Sequence, residues 1–204
     1  MTLELLVAFV AFAFVTSVTP GPNNMMLLAS GVNFGLRRSV PHMLGVSIGF
    51  TLMVAAVGLG LGEVFERLPL LHKVLQYVGA CYLVYLAWAI ARSAPPDART
   101  DTRAKPFTFL QAAAFQWVNP KAWVMAVGVI ATYAPHQDYV VNVLLIAGLF
   151  GLVNGPSIGL WTVTGTLLRR WLDNPATRRA FNIGMALLLI ASLVPILLDV
   201  KGVA

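Results

Sequence analysis

The sequence predicts an all-α integral membrane protein: six transmembrane helices in two inverted three-helix repeats, with helices 1 and 4 broken at proline motifs. Three observations lead there. Of the 204 residues, 58% are hydrophobic and 11% are charged, against roughly 25% charged in an ordinary soluble domain. The apolar residues also fall into blocks near the length of about 20 residues that a helix needs to cross a hydrocarbon layer of ~30 Å. Finally, Lys and Arg collect in alternate loops between the blocks, as they do where positive charge fixes membrane orientation.

Six blocks are expected, over residues 3–31, 41–62, 69–91, 107–133, 139–166 and 180–198. Helices are the reading that lipid permits, because an open sheet leaves backbone groups unpaired and the period-2 pattern of a barrel strand is absent. The N-terminus, Met1-Thr2-Leu3-Glu4, lacks the basic start of a signal peptide, so the first block is expected to be retained.

The first block is interrupted by Thr19-Pro20-Gly21-Pro22-Asn23-Asn24, just after Thr16 and Ser17. Two prolines remove two backbone donors and Gly21 adds freedom between them, so a straight helix through this point is not expected. A new helix should start near Asn23, and its positive end can receive a carboxylate. The bland alternative is a proline kink that only shapes packing. The second block carries Gly45-Val46-Ser47-Ile48-Gly49-Phe50. The third holds the one cysteine, Cys81, expected to be a small packing residue; a lone cysteine excludes a disulfide framework, a zinc site and a dithiol redox centre within one chain.

Residues 92–106, with Pro95-Pro96 and mixed charges, form the expected linker. It divides one transmembrane domain into a first repeat, 1–91, and a second, 107–204. The fourth block contains Gln111, Gln116, Asn119, Pro120 and Lys121. Lys121 lies ~21 Å along a helix counted from Phe107, at a depth where lysine costs about 2.5–3.5 kcal/mol on insertion scales. It therefore needs a cavity, a partner or a route for its stem to the interface; the expectation is that it faces a hydrated cavity and supports a substrate carboxylate. In the fifth block a second interruption is expected at Asn154-Gly155-Pro156, which brings Trp161 into consideration as a cavity-lining residue.

The loops after the first, third and fifth blocks hold ten Lys and Arg residues: Arg37, Arg38, Arg92, Arg99, Arg103, Lys105, Arg169, Arg170, Arg178 and Arg179. The other side holds three, Arg67, Lys73 and Lys201. The first side is therefore expected to be cytoplasmic and both termini external. Two three-helix halves in this arrangement must be oppositely inserted, the inverted repeat of many secondary transporters. Val18-Thr19-Pro20 is echoed by Val118-Asn119-Pro120, and Gly45 to Phe50 by Gly155 to Leu160, in the same order in both halves.

The net charge of +6 is explained by these loops, so no nucleic-acid partner is expected. No Asp or Glu lies well inside a block, which leaves a proton relay without a carboxylate candidate and disfavours a dicationic substrate. His42, His72 and His136 stand far apart near block ends and are expected at the surface or interface, with no metal site. Trp88, Trp171 and Tyr77 are expected as interface anchors or packing residues.

The chain resembles the LysE/RhtB family of amino-acid exporters. The resemblance rests on Thr19-Pro20-Gly21-Pro22-Asn23 with Gly35 and Arg37, Gly45 to Phe50, Gly79 to Trp88, and Asn119-Pro120-Lys121. It implies efflux of amino acids or close derivatives, a bacterial inner-membrane location, coupling to protons through the proton motive force, and no enzymatic activity or cofactor. The subgroup that exports basic amino acids carries acids where this chain has Ile48 and Met125, which favours a neutral or thiol-type substrate, and the wording is nearest to cysteine/O-acetylserine exporters. The substrate-binding set expected from the breaks and the resemblance is Thr19, Pro20, Gly21, Pro22, Asn23, Asn24, Gln116, Asn119, Pro120, Lys121, Asn154 and Trp161. Pairing of two chains as a homodimer is left open. The competing classes are a metal-ion or other small-solute exporter, a membrane redox enzyme and a non-transporting scaffold.

Overall fold

The computed structural model describes residues 2–93 and 106–194, and among them every regular element is helical. In order these are α1 (Leu3–Val18), α2 (Pro22–Ala56), a π turn (Val57–Leu61), α3 (Gly62–Arg67), α4 (Pro69–Ala91), α5 (Phe109–Gln116), α6 (Pro120–Tyr133), α7 (Tyr139–Leu168) and α8 (Pro175–Ala191). Most of the linker expected over 92–106, with Arg99, Arg103 and Lys105, lies outside the described residues, as do Lys201, the end of the sixth block and the side chains of His72 and Lys73.

Helix starts follow local chemistry. The Thr2 hydroxyl accepts from Leu5 N at 3.3 Å. Thr108 and Gln111 form a reciprocal capping box at α5. Pro22, Pro69, Pro120 and Pro175 each occupy a first-turn position, where a missing N–H costs nothing.

Among the described residues two continuous helical stretches are long and apolar enough to cross a membrane, Pro22–Leu61 and Tyr139–Leu168. The first would extend about 60 Å if straight, twice a bilayer core. It instead folds back at Gly35, where φ is 76° and ψ is 169°, a left-handed backbone that favours glycine. The neighbours along α7 show the reversal: Gly31 meets Thr162 and Gly165 and Gly35 meets Arg169, whereas Thr51 meets Gly151 and Gly58 meets Val143. The limb over 22–34 thus runs parallel to α7, and the limb from 36 onward runs antiparallel to it. Gly31 and Gly165 stand at the closest crossing, where a Cβ on either would meet backbone of the other helix. Small residues of this kind let membrane helices pack by van der Waals contact where lipid offers no hydrophobic drive.

One core cluster joins Phe9 and Ala13 of α1, Phe50 and Met53 of α2, Met125 and Val129 of α6, and Ile146 and Phe150 of α7. A second joins Met26 and Ala29 of α2 with Leu83, Leu86 and Ile90 of α4, Phe115 of α5 and Leu189 of α8. Large apolar side chains also cover the outside, among them Val7, Phe14, Leu110, Val124, Leu152 and Leu187. Such a surface is lipid-compatible and would be a liability in water.

Several expectations need correction. α7 passes unbroken through Asn154-Gly155-Pro156: a single proline forfeits one hydrogen bond, which a long helix tolerates inside a protein environment, and nothing within 4 Å crowds a Cβ position at Gly155. His42 is fully buried, with Nδ1 at 2.9 Å from the Ser30 hydroxyl, so it is not at the surface. Cys81 is exposed on α4, not packed inside. α8 starts at Pro175, five residues before the expected 180, and takes Arg178 out of the loop. Arg178 is buried, donating from Nε to Leu172 O at 2.9 Å, with the Asp173 carboxylate 3.8 Å away.

Candidate substrate cavity between two helix breaks

The first break separates α1 from α2. Thr19 takes an extended conformation, φ −57° and ψ 132°, as a residue before proline must, and Gly21 is fully extended. The carbonyls left without helical partners are collected by side chains. Asn24 Nδ2 donates to Ser17 O at 2.8 Å and to Thr19 O at 2.9 Å. Ser157 of α7 donates its hydroxyl to Ser17 O at 2.8 Å. Lys121 of α6 donates from Nζ to Thr19 O at 2.6 Å and to Pro20 O at 3.5 Å. Thus the half-buried Lys121 turns its ammonium onto the carbonyls of the first break. It lies over Gly21, where a Cβ would stand 2.8 Å from Lys121 Cδ.

The second break separates α5 from α6 and is closed by its own sequence. Trp117, Val118 and Asn119 donate to the carbonyls three residues back, at 3.2, 3.1 and 3.3 Å. Asn119 caps α6 by accepting from Lys121 N at 3.2 Å, and the Trp123 indole donates to Trp117 O at 2.8 Å. The two breaks are tied together by a reciprocal amide pair: Asn23 Nδ2 donates to Gln116 Oε1 at 2.8 Å and Gln116 Nε2 to Asn23 Oδ1 at 3.2 Å.

Between them lies a small cavity with an open mouth; its empty space is about 370 Å³ when the solvent at that mouth is included. Its polar lining comes from Thr16 and Ser17 of α1, Asn23 and Asn24 of α2, Asn119 and Lys121 of α6 and Asn154 of α7; its apolar wall is Val46, Phe50, Ala122 and Met125. Lys121 is the one charged residue of that lining. The Ser17 hydroxyl is buried and has no hydrogen-bond partner among the described residues. Two opposed helix ends also meet here: the carbonyl end of α1, partially negative, and the amide end of α2, partially positive.

Of the twelve residues the sequence singles out, the fold brings Gly21, Asn23, Asn24, Asn119, Lys121 and Asn154 onto the cavity wall. Thr19 and Pro20 present carbonyls to Lys121 beside it, and Gln116 is buried behind Asn23. Pro22 and Pro120 set the starts of α2 and α6. Trp161 does not line the cavity; it packs against the cluster of Leu27, Val46, Ala112 and Ile158. Ile48, compared above with an acidic position, is 43% exposed on the outer face, whereas Met125 is on the cavity wall. Sequence reasoning missed Val46, Phe50 and Ala122, because an apolar residue on a cavity wall looks like any other in an apolar block; Met125 entered only through the resemblance.

The LysE type translocator family matches residues 14–197, which take in both breaks and every residue that lines the cavity. The chain belongs to the LysE family. Curated relatives of this LysE-type translocator include the cysteine/O-acetylserine efflux proteins of Escherichia coli O139:H28 (strain E24377A / ETEC) and Escherichia coli (strain K12). These are 34% and 33% identical over 197 residues, covering 93% of this chain and 96% of each relative. The protein of the same name from Salmonella typhimurium (strain LT2) is 32% identical over 192 residues, with the same coverage. No solved structure matches the chain. The LysE-type chain is therefore a helical membrane transporter and not an enzyme.

Proposed function

We propose that this LysE-type translocator exports a small neutral amino acid or amino-acid derivative, of the cysteine and O-acetylserine class, from the cytoplasm, driven by the proton motive force. The carrying observation is the cavity between the breaks, which offers opposite helix ends to the two ends of a zwitterion. The amide end of α2 takes the carboxylate, and Lys121 gives the empty cavity the positive potential that draws it in. Val46, Phe50, Ala122 and Met125 take an uncharged side chain. No carboxylate lines the cavity to balance a second positive charge, which disfavours lysine and arginine. The names of the relatives support the same substrate class.

The reading includes six crossings in two inverted repeats. The limb of α2 over 36–56 with its π turn, α4, α7 and α8 each make one crossing. α1 with the first limb of α2, and α5 with α6, make the two broken ones. Support comes from the reversal at Gly35, from a break in the first helix of each half, and from the packing of the third helices, α4 and α8, against each other. The arginine-rich loops face the cytoplasm and the termini the other side; the location is a bacterial inner membrane.

Proteoliposomes loaded with a panel of labelled amino acids, with and without an imposed pH gradient, test this function. Cysteine and O-acetylserine should leave faster with the gradient, and lysine and arginine should not move. Movement of basic amino acids alone overturns the substrate class. For orientation, cysteines placed at Arg37 and His136 in a Cys81→Ala background should react with an impermeant label from opposite faces; reaction from one face defeats the inverted arrangement.

A further inference from the structure

We propose that the Thr19 and Pro20 carbonyls are the seat of the substrate ammonium, that Lys121 occupies this seat in the empty cavity, and that substrate entry displaces it with loss of one proton. The inference rests on the exporter reading and adds to it the group that exchanges the coupled proton.

The geometry is that of an internal stand-in. A primary ammonium on a flexible stem lies on the carbonyl end of a broken helix, 2.6 Å from Thr19 O and 3.5 Å from Pro20 O. Chemically it is the same group that an amino-acid substrate carries. Thr19 O also accepts from Asn24 Nδ2 at 2.9 Å, so its two lone pairs are both taken. A third donor has no place there, and a substrate ammonium can bind Thr19 O only where Lys121 has left. Gly21 leaves the room in which the Lys121 stem lies, and that stem can swing without moving the backbone.

Charge balance supplies the coupling. A substrate zwitterion arrives with no net charge and brings its own ammonium to the seat. Lys121, deprived of both carbonyls, would be a second ammonium beside the first with the substrate's one carboxylate between them, and a like charge nearby disfavours its charged form. The Nζ–H bond breaks and the proton passes to water in the open mouth, leaving a neutral amine. In the reverse step a proton from the far side returns to Nζ, and the lysine ammonium reclaims the carbonyls and expels the substrate. One zwitterion and one proton thus exclude each other, which is the sign an antiporter needs. No other lining group competes for the role: α1 contributes Thr16 and Ser17; α2 Gly21, Asn23, Asn24, Val46 and Phe50; α6 Asn119, Ala122 and Met125; α7 Asn154. None of these is charged, and none titrates near neutral pH.

Proton release on binding tests it, measured with a pH indicator in weakly buffered detergent solution at a pH where the cysteine thiol stays protonated. O-acetyl-L-serine or L-cysteine should release about one proton per molecule bound to the wild type. N-acetyl-L-cysteine, which has no ammonium, should release none. Lys121→Gln should bind substrate without proton release, and its flux in proteoliposomes should lose its response to a pH gradient. Lys121→Arg, which cannot give up its proton, should bind at least tenfold more weakly. Wild-type binding without proton release, release by N-acetyl-L-cysteine, or unchanged release in Lys121→Gln overturns the displacement. If the wild type binds none of the amino-acid panel, it is the exporter reading itself that fails.

Discussion

The two helix breaks look alike in sequence, a polar residue before proline in each half, yet they are held in different ways. At the first break every donor shown on the Ser17, Thr19 and Pro20 carbonyls comes from a side chain, two of them on helices far along the chain: Asn24 of α2, Ser157 of α7 and Lys121 of α6. The Trp117–Asn119 break is closed by its own backbone, by its cap and by Trp123. The first can therefore open when a neighbouring helix shifts or a substrate competes. The second is a fixed mount that delivers Lys121 to the first. On the proposed reading the pliant break meets the substrate and the rigid one aims the lysine.

Substitutions can break this contrast. The largest expected effect is that of Asn24→Leu, which strips donors from Ser17 O and Thr19 O together. It should lower stability in detergent by about 1–3 kcal/mol, the loss of two hydrogen bonds at about 0.5–1.5 kcal/mol each, and abolish measurable export. Gln116→Leu removes the reciprocal pair with Asn23 and also a 2.8 Å bond to Ala112 O. A loss of about 1–2 kcal/mol in unfolding free energy is expected, with export reduced about tenfold as the two breaks uncouple. Ser157→Ala takes away one of two donors to Ser17 O. Its expected cost is about 0.6 kcal/mol, the average for such bonds between membrane helices, visible as a small fall in melting temperature and a weaker substrate affinity in titration. Trp123→Phe removes the indole donor to Trp117 O at the locally closed break and should cost less than about 0.6 kcal/mol while leaving transport near wild type. If Trp123→Phe abolished export and Asn24→Leu did not, the assignment of pliant and rigid breaks would be reversed.

A second asymmetry concerns the glycines of the echoed segments. Gly45 and Gly49 press on α5, where a Cβ would meet Phe109, Ala112 or Ala113. Gly155 and Gly159 have nothing within 4 Å of a Cβ position. Similar wording in the two halves therefore does not fix equivalent packing. The close approach of α7 to α2 is made instead at Gly151 and Gly165, which pattern matching passes over because glycines are frequent in membrane helices.

What the sequence determined by itself is what depends on the solvent and on local backbone chemistry. Block length against bilayer thickness, prolines that end helices, and the family motif over both breaks were all legible there. Tertiary structure alone decided which side chains meet. It buried His42 beside Ser30, took Arg178 into α8, carried α7 straight through Pro156 and chose which apolar residues wall the cavity. Above all it placed Lys121 on carbonyls about a hundred residues away in the chain. The physical reason is that burial in lipid demands a partner for every polar group, and the chain's periodicity states the demand without naming the partner.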